Sequence, residues 1–137
     1  MFVMLLQTTH TVLATQDIQE RVQALGTPFA AQILKLLHFF AATYKHEFEF
    51  DFPPVHDPLA VAYVIQPDLL KTKRAKVDIE VHSPLTAGQT IVDLRPQSLK
   101  HVNVTVCFSV DVRSAWELIM TAIEKSSAQS LQANKVP

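Results

Sequence analysis

The stretch Pro53-Pro54-Val55-His56-Asp57-Pro58-Leu59-Ala60-Val61-Ala62-Tyr63 decides how this chain folds. Its apolar run, continuing to Ile65, is one that periodicity alone leaves open between helix and strand. The Asp57-Pro58 junction settles it for a helix. Aspartate is a preferred N-cap, proline is tolerated at the first helical position, and a residue before proline is biased away from the helical region. Gln66-Pro67-Asp68 then ends or interrupts that helix.

Upstream, Met1 to Leu6 reads as a core strand, too short for a signal-peptide core and without a basic start or cleavage site. Thr15 followed by Gln16-Asp17-Ile18 predicts an N-cap with acid in the first turn, and a helix running to about Gly26. Thr27-Pro28 repeats the start signal ahead of Phe29, Ile33, Leu36, Leu37, Phe40 and Tyr44, whose spacing marks one wide apolar face packed into the core. Residues Glu47 to Phe52 alternate acidic and aromatic side chains and read equally as a short strand or an irregular loop.

Downstream, three segments alternate with period two and are expected as strands: Val77 to Val81, Thr90 to Leu94, and Val102 to Phe108. Ser83 to Gly88 has turn composition and predicts an antiparallel pairing of the first two. The basic patch Lys71 to Lys76 reads as a solvated loop. Asp111 caps a last helix with Val112, Trp116, Ile119, Met120 and Ile123 on one face. The expectation is an α/β fold, one domain over residues 1–125 with a polar tail over 126–137 that frays.

At 137 residues and 48% hydrophobic content the chain is long and apolar enough for one buried core. Twelve basic against thirteen acidic residues leave a formal net charge of -1, so no global field favours nucleic acid or an anionic membrane. No stretch approaches the roughly 20 apolar residues needed to span a bilayer. The single cysteine, Cys107, lies in an alternating apolar run and reads as a buried small hydrophobe. A chain without a disulfide framework suits a reducing compartment, and the cytoplasm is the expected location. Two glycines cannot supply a phosphate-cradling loop, which sets aside kinases, common NTPases and Rossmann dehydrogenases.

Several phrases together carry a resemblance: Thr9-His10-Thr11-Val12-Leu13-Ala14-Thr15, Thr27-Pro28-Phe29-Ala30, the Pro53 to Tyr63 stretch, Val77-Asp78-Ile79-Glu80, and Thr86-Ala87-Gly88-Gln89-Thr90-Ile91-Val92-Asp93. In this order and spacing they resemble the C-terminal part of inosine-uridine-type nucleoside hydrolases, over nearly the whole chain. The resemblance implies the C-terminal portion of that family's fold, with helices packed on a partial mixed sheet. It also implies calcium-dependent cleavage of purine or pyrimidine ribonucleosides to free base and ribose. An oxocarbenium-like transition state needs a positioned water and a base whose departing charge is neutralised, and calcium takes carboxylate and carbonyl oxygens. Carried across, Asp57 is a calcium ligand and His56 a candidate general acid beside the departing base, suited by an unperturbed pKa of roughly 6.5.

The aspartate-rich opening motif of full-length members has no counterpart here, nor do their central ribose-holding asparagine and glutamate, and Ala87 stands where relatives carry a basic residue. The expectation is therefore a ribonucleoside hydrolase that is incomplete as given, with an exposed sheet edge open to self-association or to a full-length relative. The alternative is a catalytically inactive truncated relative acting as an interaction module. Plainer roles also exist: an N-cap for Asp57, a hydrogen-bonded loop histidine for His56, local backbone contacts for His10, and a solvated strand face for Asp78, Glu80 and Asp93.

Overall fold

The computed structural model describes residues 2–95 and 101–133. It is a mixed α/β fold whose described elements run β1 (Phe2–Met4), α1 (Leu6–Thr9), α2 (Gln16–Ala24), α3 (Pro28–Phe48) and α4 (His56–Ile65). A 3₁₀ turn (Pro67–Leu69) follows, then β2 (Leu70–Ile79), β3 (Thr90–Asp93), β4 (Val104–Val110) and α5 (Val112–Ala133). The strands form one sheet in the order β1-β4-β2-β3. β1 lies parallel to β4 with Met4 opposite Cys107, and β2 is antiparallel to both β4 and β3.

The apolar pattern explains the layers. Leu59 and Ala62 of α4, Val22 of α2, Trp116 and Met120 of α5 and Cys107 of β4 bury together in the main core, with Phe2 and Met4 packed against it. Ala75, Val104 and Val106 make a smaller cluster joined by Val3 and Leu5. Alternate residues of β1 thus serve two apolar faces, the pattern of a strand inside a parallel sheet. Burying Leu59 fully makes a Leu59→Ala truncation cost about 2–5 kcal/mol.

Several expectations hold in detail. Thr27 caps α3, its hydroxyl accepting from the Ala30 amide at 3.1 Å, with Pro28 at the first helical position. Asp111 precedes α5, and its carboxylate accepts from the amide and hydroxyl of Ser114 at 3.1 and 2.8 Å. β2 and β3 pair as an antiparallel hairpin. Cys107 is buried, and desolvation pushes its thiol pKa up, as suits a packing residue.

Other expectations need correction. The opening strand ends at Met4 and α1 starts at Leu6; Met1 lies outside the described residues. Lys71 to Lys76 is the first part of β2, not a loop. Backbone pairing to β4 needs no apolar side chain, and Leu70 and Ala75 supply what burial the strand has. Asp57 is not the N-cap of α4: Val55 holds that position at φ -110°, ψ 92°, and Asp57 sits in the first turn. The chain beyond Ser126 stays helical to Ala133 because Ser127 is buried and its hydroxyl oxygen accepts from the Thr27 hydroxyl at 3.1 Å; residues 134–137 lie outside the described residues. Phe40 is about half exposed, so the apolar stripe of α3 reaches the core only in part. The undecided segment before Pro53 is the end of α3, closed at Glu49 by a left-handed turn (φ 58°), and then an irregular loop.

Candidate functional site

The C-terminal end of β1 leads straight into α1, and the Thr8 hydroxyl ties that turn to the Cys107 carbonyl of β4 at 3.2 Å. Beyond it, residues 12–14 and 53–55 hold each other: Ala14 donates to the Pro53 carbonyl at 2.9 Å and Val55 to the Val12 carbonyl at 3.0 Å. This clamp sets His56 at the start of α4 directly over Thr9. The third partner comes from α3, whose final turns carry Tyr44.

The three side chains form one hydrogen-bonded chain. His56 Nδ1 lies 2.6 Å from Thr9 Oγ1 and His56 Nε2 lies 2.7 Å from the Tyr44 hydroxyl. Thr9 donates its only hydroxyl proton to the Leu6 carbonyl at 2.9 Å, so toward His56 it acts as the acceptor. The network therefore assigns the Nδ1–H tautomer to a neutral His56, with its Nε2 lone pair accepting from Tyr44. His10 stands beside it, ring centroids 5.4 Å apart, and its other side packs edge-on against Phe50 at 4.9 Å.

Electrostatics agree with the neutral form. Burial lowers the His56 pKa, the neighbouring His10 lowers it further, and the Asp57 carboxylate opposes both. Asp57 itself is exposed on the first turn of α4. Among the described residues no group of three or more His, Cys, Asp or Glu is placed to hold a metal ion. A calcium ion takes six to eight oxygens, so the residues present do not by themselves fit that ion.

A cavity of about 390 Å³ opens between α3, α5 and the 53–58 segment, walled by Leu37, Phe40, Tyr44, His56, Trp116 and Ile119 among others. Trp116 lines it, and among the described residues its buried Nε1 finds no hydrogen-bond partner. The chemistry within reach is proton handling at an imidazole and a phenol beside an apolar recess.

The sequence singled out His56 and Asp57, which the structure leaves adjacent at the start of one helix. It missed Thr9 and Tyr44, the first quoted only within the phrase Thr9 to Thr15 and the second only as part of an apolar stripe. Forty-seven and twelve residues separate them from His56, and no local pattern announces such pairs. A signal existed only in the position of a hydroxyl-bearing aromatic at the end of α3.

Comparison with known proteins gives a consistent answer. The model of the family described as inosine-uridine preferring nucleoside hydrolase matches residues 1–117. The chain is 43% identical over 125 residues to a probable ribonucleoside hydrolase of Dictyostelium discoideum, covering 87% of this chain and 37% of that protein. It is 41% identical over 120 residues to the inosine-uridine preferring nucleoside hydrolase of Leishmania major, covering 88% and 38%. Among solved structures, the purine-preferring ribonucleoside hydrolase from Gardnerella vaginalis superposes with a TM-score of 0.76 at 26% identity, over 89% of this chain and 39% of that one. The chain thus spans less than two fifths of the length of each of these three proteins.

Proposed function

Because this chain belongs to the inosine-uridine preferring nucleoside hydrolase family, we propose that it forms part of a ribonucleoside hydrolase that splits purine or pyrimidine ribonucleosides into free base and ribose. The observation that carries the reading is the Thr9–His56–Tyr44 chain at the carboxyl end of a parallel strand, where open α/β sheets bind their ligands. A departing base gains negative charge and needs a proton. A proton taken from solvent at His56 Nε2 reverses its bond with Tyr44; as the phenol proton passes to the base, the Nε2 proton moves onto the phenol oxygen. Both residues finish neutral, and no phenolate forms. Thr9 fixes the ring by accepting from Nδ1–H throughout.

Asp57 we propose as one carboxylate of a calcium site. Its remaining oxygens have to come from beyond the residues described, and no step above passes through the ion. When bound, calcium would hold the attacking water and the ribose hydroxyls. The cytoplasm is the compartment we propose, on the strength of a lone buried cysteine.

A second reading, an inactive interaction module, is favoured by one observation: Asp57 stands without companion ligands among the described residues. Release of base from uridine, inosine and cytidine with calcium present, compared with His56→Ala, separates the two. Measured on the chain joined to the rest of the fold, turnover lost in the variant supports the hydrolase; a folded assembly with no turnover in any substrate supports the module.

A further inference from the structure

We infer that Phe50 is a positioning residue of the site: packed between Tyr44 and His10, it holds the Tyr44 phenol over His56 Nε2. The inference rests on the hydrolase reading above and adds to it a side chain that has no hydrogen bond to offer. Its place begins in the run Glu47-Phe48-Glu49-Phe50-Asp51-Phe52, where acidic and aromatic residues alternate. Were α3 to continue through this run, Phe50 would stand well round the helix from Tyr44 and could not reach its ring. α3 instead stops at Phe48, and Glu49 turns the chain back in the left-handed region at φ 58°, ψ 25°. The amides of Glu49 and Phe50 both donate to the Tyr44 carbonyl, that of Phe50 at 3.3 Å. The left-handed region is costly for a residue with a side chain. What the turn achieves is to fold Phe50 back onto the residue whose carbonyl anchors it.

The half-buried Phe50 ring meets Tyr44 edge-on, with centroids 6.1 Å apart and planes at 85°, and meets His10 edge-on at 4.9 Å and 61°. Those are the two rings that flank His56, at 5.9 and 5.4 Å. Phe50 therefore closes a circuit of four rings from the side opposite the imidazole, with His10 as the abutment against which it bears. Edge-on aromatic pairs have a preferred geometry, so this contact restrains where the Tyr44 ring swings. Such a restraint matters because the phenol is otherwise held by its bond to His56 Nε2, the bond whose direction reverses when the proton moves. Phe48 also lies beside Tyr44, at 5.3 Å, but is 59% exposed and gives a weaker wall. A phenol that drifts while its bond reverses loses the alignment on which proton transfer depends.

The test has two readouts. On the full chain by itself, nitrogen NMR of the neutral His56 ring follows the bond at Nε2: Phe50→Leu should move that signal toward the unbonded value, and Phe50→Tyr, which keeps the ring edge, should restore it. On the chain joined to the segment of the Leishmania major protein that it does not match, Phe50→Leu should lower kcat on inosine about two- to tenfold, the range an edge-on aromatic contact commands, with KM unchanged. Placed in a Tyr44→Phe background, which has no phenol to position, the same substitution should cost nothing further. Glu49→Val, which disfavours the left-handed turn, should reproduce the loss, whereas Glu49→Gly, which takes that turn freely, should not. This pair gives the same contrast from an exposed position should Phe50→Leu fail to fold. An unmoved Nε2 signal overturns the inference, as does a loss confined to KM or an equal loss with and without the phenol. A joined wild-type protein that releases no base sinks the hydrolase reading alone, because the NMR readout on the chain stands without turnover.

Discussion

Replacing Thr9 by valine keeps the shape of a buried side chain and removes only its hydroxyl. Thr9 is 5% exposed, and that hydroxyl accepts from His56 at 2.6 Å and donates to the Leu6 carbonyl at 2.9 Å. Two lost hydrogen bonds at about 1 kcal/mol each, with the Nδ1–H of His56 left facing a methyl group, put the cost near 2 kcal/mol. For a domain of this size that lowers the melting temperature by about 6 °C. Thr11→Val is the control, since Thr11 is exposed and its hydroxyl makes a single local bond to the Thr8 carbonyl; it should shift the melting point by less than about 2 °C. Thermal unfolding followed by circular dichroism measures both. Nitrogen NMR of the imidazole adds a readout that general destabilisation does not move. The wild-type ring should show the proton on Nδ1, and Thr9→Val should shift population toward Nε2–H. Equal melting points for the two variants, with an unchanged tautomer, would refute the hydrogen-bonded chain as drawn.

Tyr44→Phe removes only the hydroxyl from a half-buried ring and should leave the far-ultraviolet spectrum unchanged while slowing base release by about 10²-fold in an active assembly, measured as kcat on inosine. Stability should fall as pH drops below about 6.5, because the folded state holds His56 at a lowered pKa while the unfolded chain binds its proton sooner. His56→Gln should flatten that part of a denaturant-midpoint profile. The carboxylates of Glu80, Asp111 and Glu117, also lowered, lose their contribution only at more acid pH, so they do not mimic the effect. Thr27→Ala removes both the cap of α3 and the bond to buried Ser127, and a loss of about 1–2 kcal/mol in urea unfolding is expected.

What was legible in the sequence was whatever local chemistry controls. Thr27-Pro28 and Asp111 start helices because a capping oxygen needs only the next three amides. The Ser83 to Gly88 turn dictates its hairpin because strand register follows from the turn. The Lys71 to Lys76 segment was not legible as strand, since its place in the sheet depends on the backbone of β4 rather than on its own side chains. Asp57 was displaced from the cap for a related reason: His56 has to enter the helix to meet Thr9 and Tyr44 at once, which moves the boundary back two residues. Ser127 looked like part of a polar tail, and only its distant partner Thr27 explains why the helix continues. The site divides in the same way. His56 and Asp57 lie in one recognisable phrase, whereas Thr9 and Tyr44 become neighbours only after β1 and α3 are packed.

The most direct test of the central claim grafts this chain into the Leishmania major relative in place of the 38% it matches and measures hydrolysis of inosine and uridine with and without His56→Ala. An active graft that loses about 10²- to 10⁴-fold in kcat on that substitution is the predicted result. A graft that folds and hydrolyses equally well without the imidazole would contradict the role assigned to His56.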